Sequence, residues 1–287
     1  MAPSVIGLGR RGFWDPITST IDWCETNYEV SFYIAEFWNT LSNLTFIIPP
    51  LIAFAHLQRY EIPFLFLSPL LYLSFVGLGS AAFHMTLKYE MQLWDEMTMI
   101  WEALLVSFLF IKMLHPPTAA KKSTKIGLIA VGLLLEISYL VVNQPLFFQL
   151  GFAAIHYMVI YLGYRITRTC PSSPKLFWIG VFLNHFAFFL WNIDNIFCRQ
   201  LDGFRCSIPN ILTPLFQLHA VWHVIAGFAT YCMITFAIHA HLLSQRRYFY
   251  IKLHPLTGLI LTNAERDKHV SKRIYQTKRD KWEIQKK

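Results

Sequence analysis

The sequence predicts an all-α polytopic membrane protein with seven transmembrane helices. Three observations carry that prediction: 55% of the 287 residues are hydrophobic, only 15% are charged, and apolar runs of membrane-spanning length recur along the chain. A mean hydropathy of +0.40 is too apolar for an ordinary soluble domain. A helix needs about 20 apolar residues to cross the hydrocarbon core.

The first run, 36–56, opens on Glu36, whose carboxyl abuts apolar sequence and needs a partner; Glu36, Asn39 and Asn43 share one helix face. The second, 63–84, ends in Ser80 and His84, four apart and so on one face. The third, 93–114, has Asp95 at its start and Glu102 within it, and the fourth, 125–142, encloses Glu136. His156 and His185 lie mid-span in the fifth (147–166) and sixth (176–196), and the sixth closes on Trp191-Asn192-Ile193-Asp194-Asn195. The seventh, 211–243, is long enough to include a polar lead-in and carries His219 and His223 near its start. Connections are short and no internal repeat is visible, so the chain reads as one catalytic domain over 36–243, with an N-terminal segment 1–35 and a basic tail 244–287. No apolar core of a signal peptide occurs in the first 33 residues, so the first crossing is expected to serve as the targeting signal.

Seven crossings put the termini on opposite faces. Arg59, Lys112, Lys121, Lys122, Lys125, Arg165, Arg168 and Lys175 fall on the C-terminal face, against Arg10, Arg11, Lys88, Arg199 and Arg205 on the other. The positive-inside rule therefore makes the C-terminus cytosolic and the N-terminus lumenal or extracellular. The net charge of +8 does not point to nucleic acid, because twelve of the twenty-five Lys and Arg follow Ser244, where anionic lipid is the natural partner.

The same topology sorts the eleven histidines. Only His84, His219 and His223 reach the N-terminal end of the bundle, where Asp95 and Ser80 accompany them. Three imidazoles suit a catalytic zinc, which takes three protein ligands and keeps a fourth position open. Asp95 is then the general base and acid, and Ser80 a donor to the oxyanion. Buried histidines that merely tie helices together are the plainer reading, but packing needs only small residues for that. A zinc hydrolase entered from the bilayer implies a lipid substrate with an acyl bond.

Ahead of the first crossing, Asp22-Trp23-Cys24-Glu25-Thr26-Asn27 and then Glu36 concentrate oxygen donors of the kind calcium takes, without the EF-hand pattern. Asn192 and Asp194 are candidates to orient the metal-ligating histidines. Cys24, Cys198 and Cys206 share one face, and Cys24 can pair with either of the others.

The segments 22–27 (DWCETN), 33–43 (YIAEFWNTLSN), 79–95 (GSAAFHMTLKYEMQLWD), 189–198 (FLWNIDNIFC) and 217–223 (QLHAVWH) resemble the alkaline ceramidases. Those enzymes belong to a superfamily of seven-helix transmembrane hydrolases that includes adiponectin receptors. The resemblance implies hydrolysis of ceramide to a sphingoid base and a fatty acid. It implies zinc on His84, His219 and His223, with Ser80 and Asp95 catalytic. Calcium is implied on Asp22, the Trp23 carbonyl, Glu25, Asn27 and Glu36, as is a Cys24–Cys198 disulfide. A monomer in the endoplasmic reticulum or Golgi membrane is the further expectation. The alternative is an adiponectin-receptor-like receptor with weak hydrolase activity, against which the acidic loop and the N-terminal orientation speak. Calcium read as a structural clamp implies that Glu36→Ala lowers activity and calcium response while zinc stays bound.

Overall fold

The computed structural model describes residues 10–115 and 122–264. The apolar runs become helices α1 (Phe37–Ser42), α2 (Leu44–Leu57), α3 (Phe64–Thr86), α4 (Tyr89–Leu114), α5 (Lys122–Val142), α6 (Pro145–Thr169), α7 (Pro174–Ile196) and, after the short α8 (Cys198–Ser207), α9 (Leu218–Ser244). Among the described residues, seven spans are long and apolar enough to cross a bilayer, with α1 and α2 together forming the first, and the chain is a membrane protein.

Three features depart from the expected runs. The first crossing is broken at Asn43, whose amide donates to the Asn39 carbonyl at 3.0 Å while α2 restarts behind it. The seventh helix starts at Leu218 rather than near Ile211, because Pro214 sits in a separate 3-10 turn, Thr213–Phe216. The tail is not all solvated chain. Phe249–His254 (β1) and Gly258–Asn263 (β2) pair as an antiparallel hairpin, and residues 265–287 lie outside the described residues.

The hairpin is docked by side chains from the helices. Tyr231 donates its hydroxyl to the Leu259 carbonyl at 2.8 Å, His239 Nε2 donates to the Phe249 carbonyl at 2.8 Å, and His56 Nε2 donates to the Leu261 carbonyl at 3.1 Å. Edge carbonyls that would otherwise face apolar surroundings are thereby satisfied. With the hairpin on one side and α7, α2 and α3 on others, every residue of α9 from Tyr231 to Ala240 is buried. A helix apolar all round belongs at the centre of a bundle, and α9 occupies that place.

Close helix approach positions the site. A side chain at Gly77 would meet Phe46 Cβ at 2.6 Å, and one at Gly79 would meet the Trp94 ring at 2.8 Å. These two glycines let α3 lie against α2 on one side and α4 on the other, so that Ser80 and Asp95 come together. At the end of α3, Leu87 takes a left-handed φ of 48°, and its carbonyl accepts from both Thr18 and Ser19 N–H. Gln92 adds a second tether, its Oε1 accepting from Thr20 N at 2.7 Å. The N-terminal segment is thus held across the end of the bundle where the three histidines lie.

Candidate active site

His84 comes from the last turn of α3, and His219 and His223 from the first turns of α9. Among the described residues these three form a compact group of ligand atoms, all within 4.8 Å of one another, and all three side chains are buried. Their ring centroids are 5.1 Å (His84–His219), 4.8 Å (His84–His223) and 4.6 Å (His219–His223) apart.

Neighbours fix which nitrogen each ring presents. His84 Nδ1 bonds the Glu36 carboxyl, and with the proton on Nδ1 the ring keeps a free electron pair on Nε2. Ser42 Oγ donates its one proton to the Asn39 carbonyl at 2.9 Å, so it accepts from His223 Nδ1 at 2.8 Å. His223 Nε2 is thereby left as an acceptor, 3.4 Å from Ser80 Oγ. His219 differs: its Nδ1 is buried with no partner. Its ring is held between Trp23, stacked at 3.6 Å, and Trp222 at 5.0 Å. Three imidazoles sharing one pocket, one with an orphaned nitrogen, make a donor set that fits a zinc ion.

Ser80 sits beside the Asp95 carboxyl as well as facing His223, so carboxyl, hydroxyl and imidazole line up across α4, α3 and α9. Beneath them lies a mostly apolar cavity of about 110 Å³, with Ser80, Asp95 and His223 on its wall and Val106 and Met233 also lining it. A polar head above an apolar hollow is the form of a lipid site.

The acidic loop sits directly on this centre. Trp23 N donates to Glu36 Oε1 at 3.2 Å, and Asn27 Nδ2 bonds both Asp22 oxygens at 3.3 and 3.4 Å. Glu25 is spent differently, its two oxygens accepting the Trp38 and Asn39 N–H at 2.7 and 2.8 Å where α1 begins. Asn27 Oδ1 is buried and unpartnered, an oxygen left over for a cation. Burial raises the Asp22 pKa and pushes Glu25 up to about 7, the direction a bound cation would reverse. The loop thus fits calcium by its donors, although its carboxylates are not drawn into a cluster as close as the histidines.

Cys24 is disulfide-bonded to Cys198, and Cys206 is free and exposed. Asp194 accepts Cys24 N and His219 N, each at 3.3 Å. It therefore steers His219 through the backbone at the start of α9, where orphan N–H groups need an acceptor. The Asn192 amide nitrogen donates to the Phe188 carbonyl one turn back at 2.7 Å, within its own helix. Residues that sequence reasoning missed are Ser42, Trp222 and Arg205. Buried Arg205 donates to the Cys24 carbonyl at 2.7 Å and to Gln217 Oε1 at 3.0 Å, clamping the loop to the start of α9. No signal in the sequence separates it from an ordinary loop charge.

Comparison with known proteins places this geometry in context. The chain matches the Ceramidase family over residues 15–255. It is 37% identical over 247 residues to alkaline ceramidase 3 of Mus musculus, covering 86% of this chain and 91% of the relative. It is 32% identical over 241 residues to the alkaline ceramidase of Arabidopsis thaliana (79% and 86%), and 29% identical over 252 residues to the alkaline ceramidase YPC1 of Saccharomyces cerevisiae (81% and 80%).

Proposed function

The chain belongs to the ceramidase family, and from that premise we propose that it hydrolyses the ceramide amide bond at a zinc centre held by His84, His219 and His223. The observation that carries the zinc reading is the triad itself, buried, mutually close, and with the His219 Nδ1 unpartnered. When bound there, zinc supplies Lewis acidity, which polarises a carbonyl and acidifies water to a pKa of about 7.

The protein's own groups do the rest. Asp95 takes a proton from the attacking water as its oxygen adds to the amide carbon. The same carboxyl then delivers that proton to the departing nitrogen, so the C–N bond breaks to give a fatty acid and a free sphingoid base. In the resting site the Ser80 hydroxyl is placed to donate a hydrogen bond to the Asp95 carboxylate. As Asp95 becomes protonated, that hydroxyl is released to donate to the tetrahedral oxyanion. The apolar cavity takes hydrocarbon, which keeps the reacting groups out of bulk water.

Calcium is the second cofactor of this reading, on Asp22, the Trp23 carbonyl, Glu25, Asn27 and Glu36. Its support is the unpartnered Asn27 Oδ1 and the burial of Asp22 and Glu25. The disulfide on the site face favours an oxidising compartment. With the charge asymmetry of the loops, that orients the N-terminus to the lumen of the endoplasmic reticulum or Golgi and the C-terminus to the cytosol. The protein acts as a monomer on ceramide drawn from the bilayer.

Purified protein given ceramide should release fatty acid and sphingoid base in equal amounts; release of neither contradicts the reading. Glu36 revises the expectation of an independent calcium clamp, because its second oxygen bonds His84 Nδ1. Glu36→Ala is expected to weaken zinc binding by about 10–100-fold, as loss of a group behind a ligating histidine does. Titration against buffered free zinc checks this, and an unchanged affinity would contradict it.

A further inference from the structure

The β1–β2 hairpin takes no part in the reaction, yet it lies deep along the central helix. Tyr231, whose hydroxyl donates to the Leu259 carbonyl, is the middle residue of α9 (Leu218–Ser244). A side chain at Gly258, where β2 leaves the turn, would meet Phe228 Cε2 at 2.7 Å, and Phe228 lies almost a turn nearer the three histidines. The open end of the hairpin is held at His239, which donates to the Phe249 carbonyl. The helix between His239 and Phe228 is about 16 Å long. A six-residue strand covers about 20 Å. The two lengths match, so the hairpin runs beside α9 from near its C-terminal end to its middle.

That stretch of α9 is inside the bilayer. α7 begins beside His239, whose Nδ1 accepts from Ser173 Oγ at 2.8 Å, and α3 begins beside His241, on which Phe66 stacks at 3.6 Å. Three spans therefore enter the hydrocarbon at one level, and the turn of the hairpin lies beyond it. Non-helical backbone persists at such depth only where protein satisfies its polar groups. Tyr231, His239 and His56 donate to three of its carbonyls, and Thr257 Oγ1 adds a bond to the Leu259 carbonyl at 2.7 Å. Phe249, Leu259 and Leu261 pack into the main apolar core. The other side is apolar and bare: Leu253 is 86% exposed and Leu256 65%. Exposed Lys252 has a stem long enough to carry its ammonium back towards the headgroups.

We propose that the hairpin is a re-entrant membrane element. It turns back from the end of α9 into the bilayer, packs against α9 and α2, and presents Leu253 and Leu256 to the acyl chains of that leaflet. Its partner is lipid hydrocarbon, because its bare face lies at the depth of the spans and continues their lipid-facing surface. Apolar side chains that water would disfavour are at home there. The chain therefore does not leave the membrane at Ser244. The helix that carries His219 and His223 gains a protein cover on a side that would otherwise meet lipid.

The test places a nitroxide spin label at Leu253→Cys and, separately, at Leu256→Cys in the full chain, reconstituted into phosphatidylcholine vesicles. Cys170→Ser and Cys206→Ser remove the accessible thiols, and Cys232 is buried. Both labelled side chains are exposed, so neither replacement opens a hole in the core. Molecular oxygen concentrates in hydrocarbon and a soluble nickel chelate stays in water. Both labels are expected to be relaxed more by oxygen than by nickel, the reverse of a label at Arg59→Cys in the exposed turn after α2. Nickel exceeding oxygen at either hairpin position would put the hairpin in water and overturn the proposal. Protection from both reagents would also overturn it, by showing that protein, such as a second copy of the chain, covers this face.

Discussion

Purified His219→Ala is expected to retain no zinc above background and to release no fatty acid from ceramide. The side chain supplies one of three nitrogens in the pocket, and removing it leaves two ligands where a catalytic zinc takes three. Neither flanking group can replace it: Trp23 and Trp222 contact the ring by stacking, and an indole carries a donor only. Metal analysis and turnover on the same sample check this. A His219→Ala protein that keeps both zinc and activity would contradict the ligand assignment.

Asp95→Asn separates chemistry from metal binding. Asp95 is not among the three ligands, so zinc content should stay near that of the wild type. The amide cannot take up the proton of water, so kcat should fall by about 10²–10⁴-fold, the usual worth of a general acid–base group. KM should change little, because the hydrocarbon contacts of the cavity persist. Metal content and full rate curves measured together check it; a variant that loses zinc, or one within a few-fold of wild-type kcat, would contradict the role.

Much of this was legible in the chain. The seven spans follow from apolar run length, and the parity of crossings puts His84, His219 and His223 at one end, where the structure gathers them. The spacing of His219 and His223 gave a shared helix face, and Asp95 and Ser80 were chosen from their depth. What escaped depends on packing between distant segments. Arg205 and Ser42 are ordinary polar residues until the fold sets one on Cys24 and the other on His223. The hairpin was hidden by the basic composition of its surroundings, although β1 alternates apolar residues at Phe249, Ile251 and Leu253. The unpaired state of Glu102 shows only when its neighbours are in place.

Glu36 shows why the two candidate ion sites should not behave independently. One oxygen accepts from the acidic loop at Trp23 and the other holds His84. Trp23 meanwhile stacks on His219, and Asp194 joins Cys24 to the backbone of His219. The loop therefore touches two of the three histidines through groups that are themselves loop residues or their partners.

The central claim is most directly tested by following zinc content and fatty-acid release in one preparation of wild-type protein through chelation and metal return. The two should fall together and recover together on adding zinc, with calcium alone restoring neither. Ceramide hydrolysis that persists in zinc-free protein, or fully zinc-loaded protein that hydrolyses no ceramide, would contradict it.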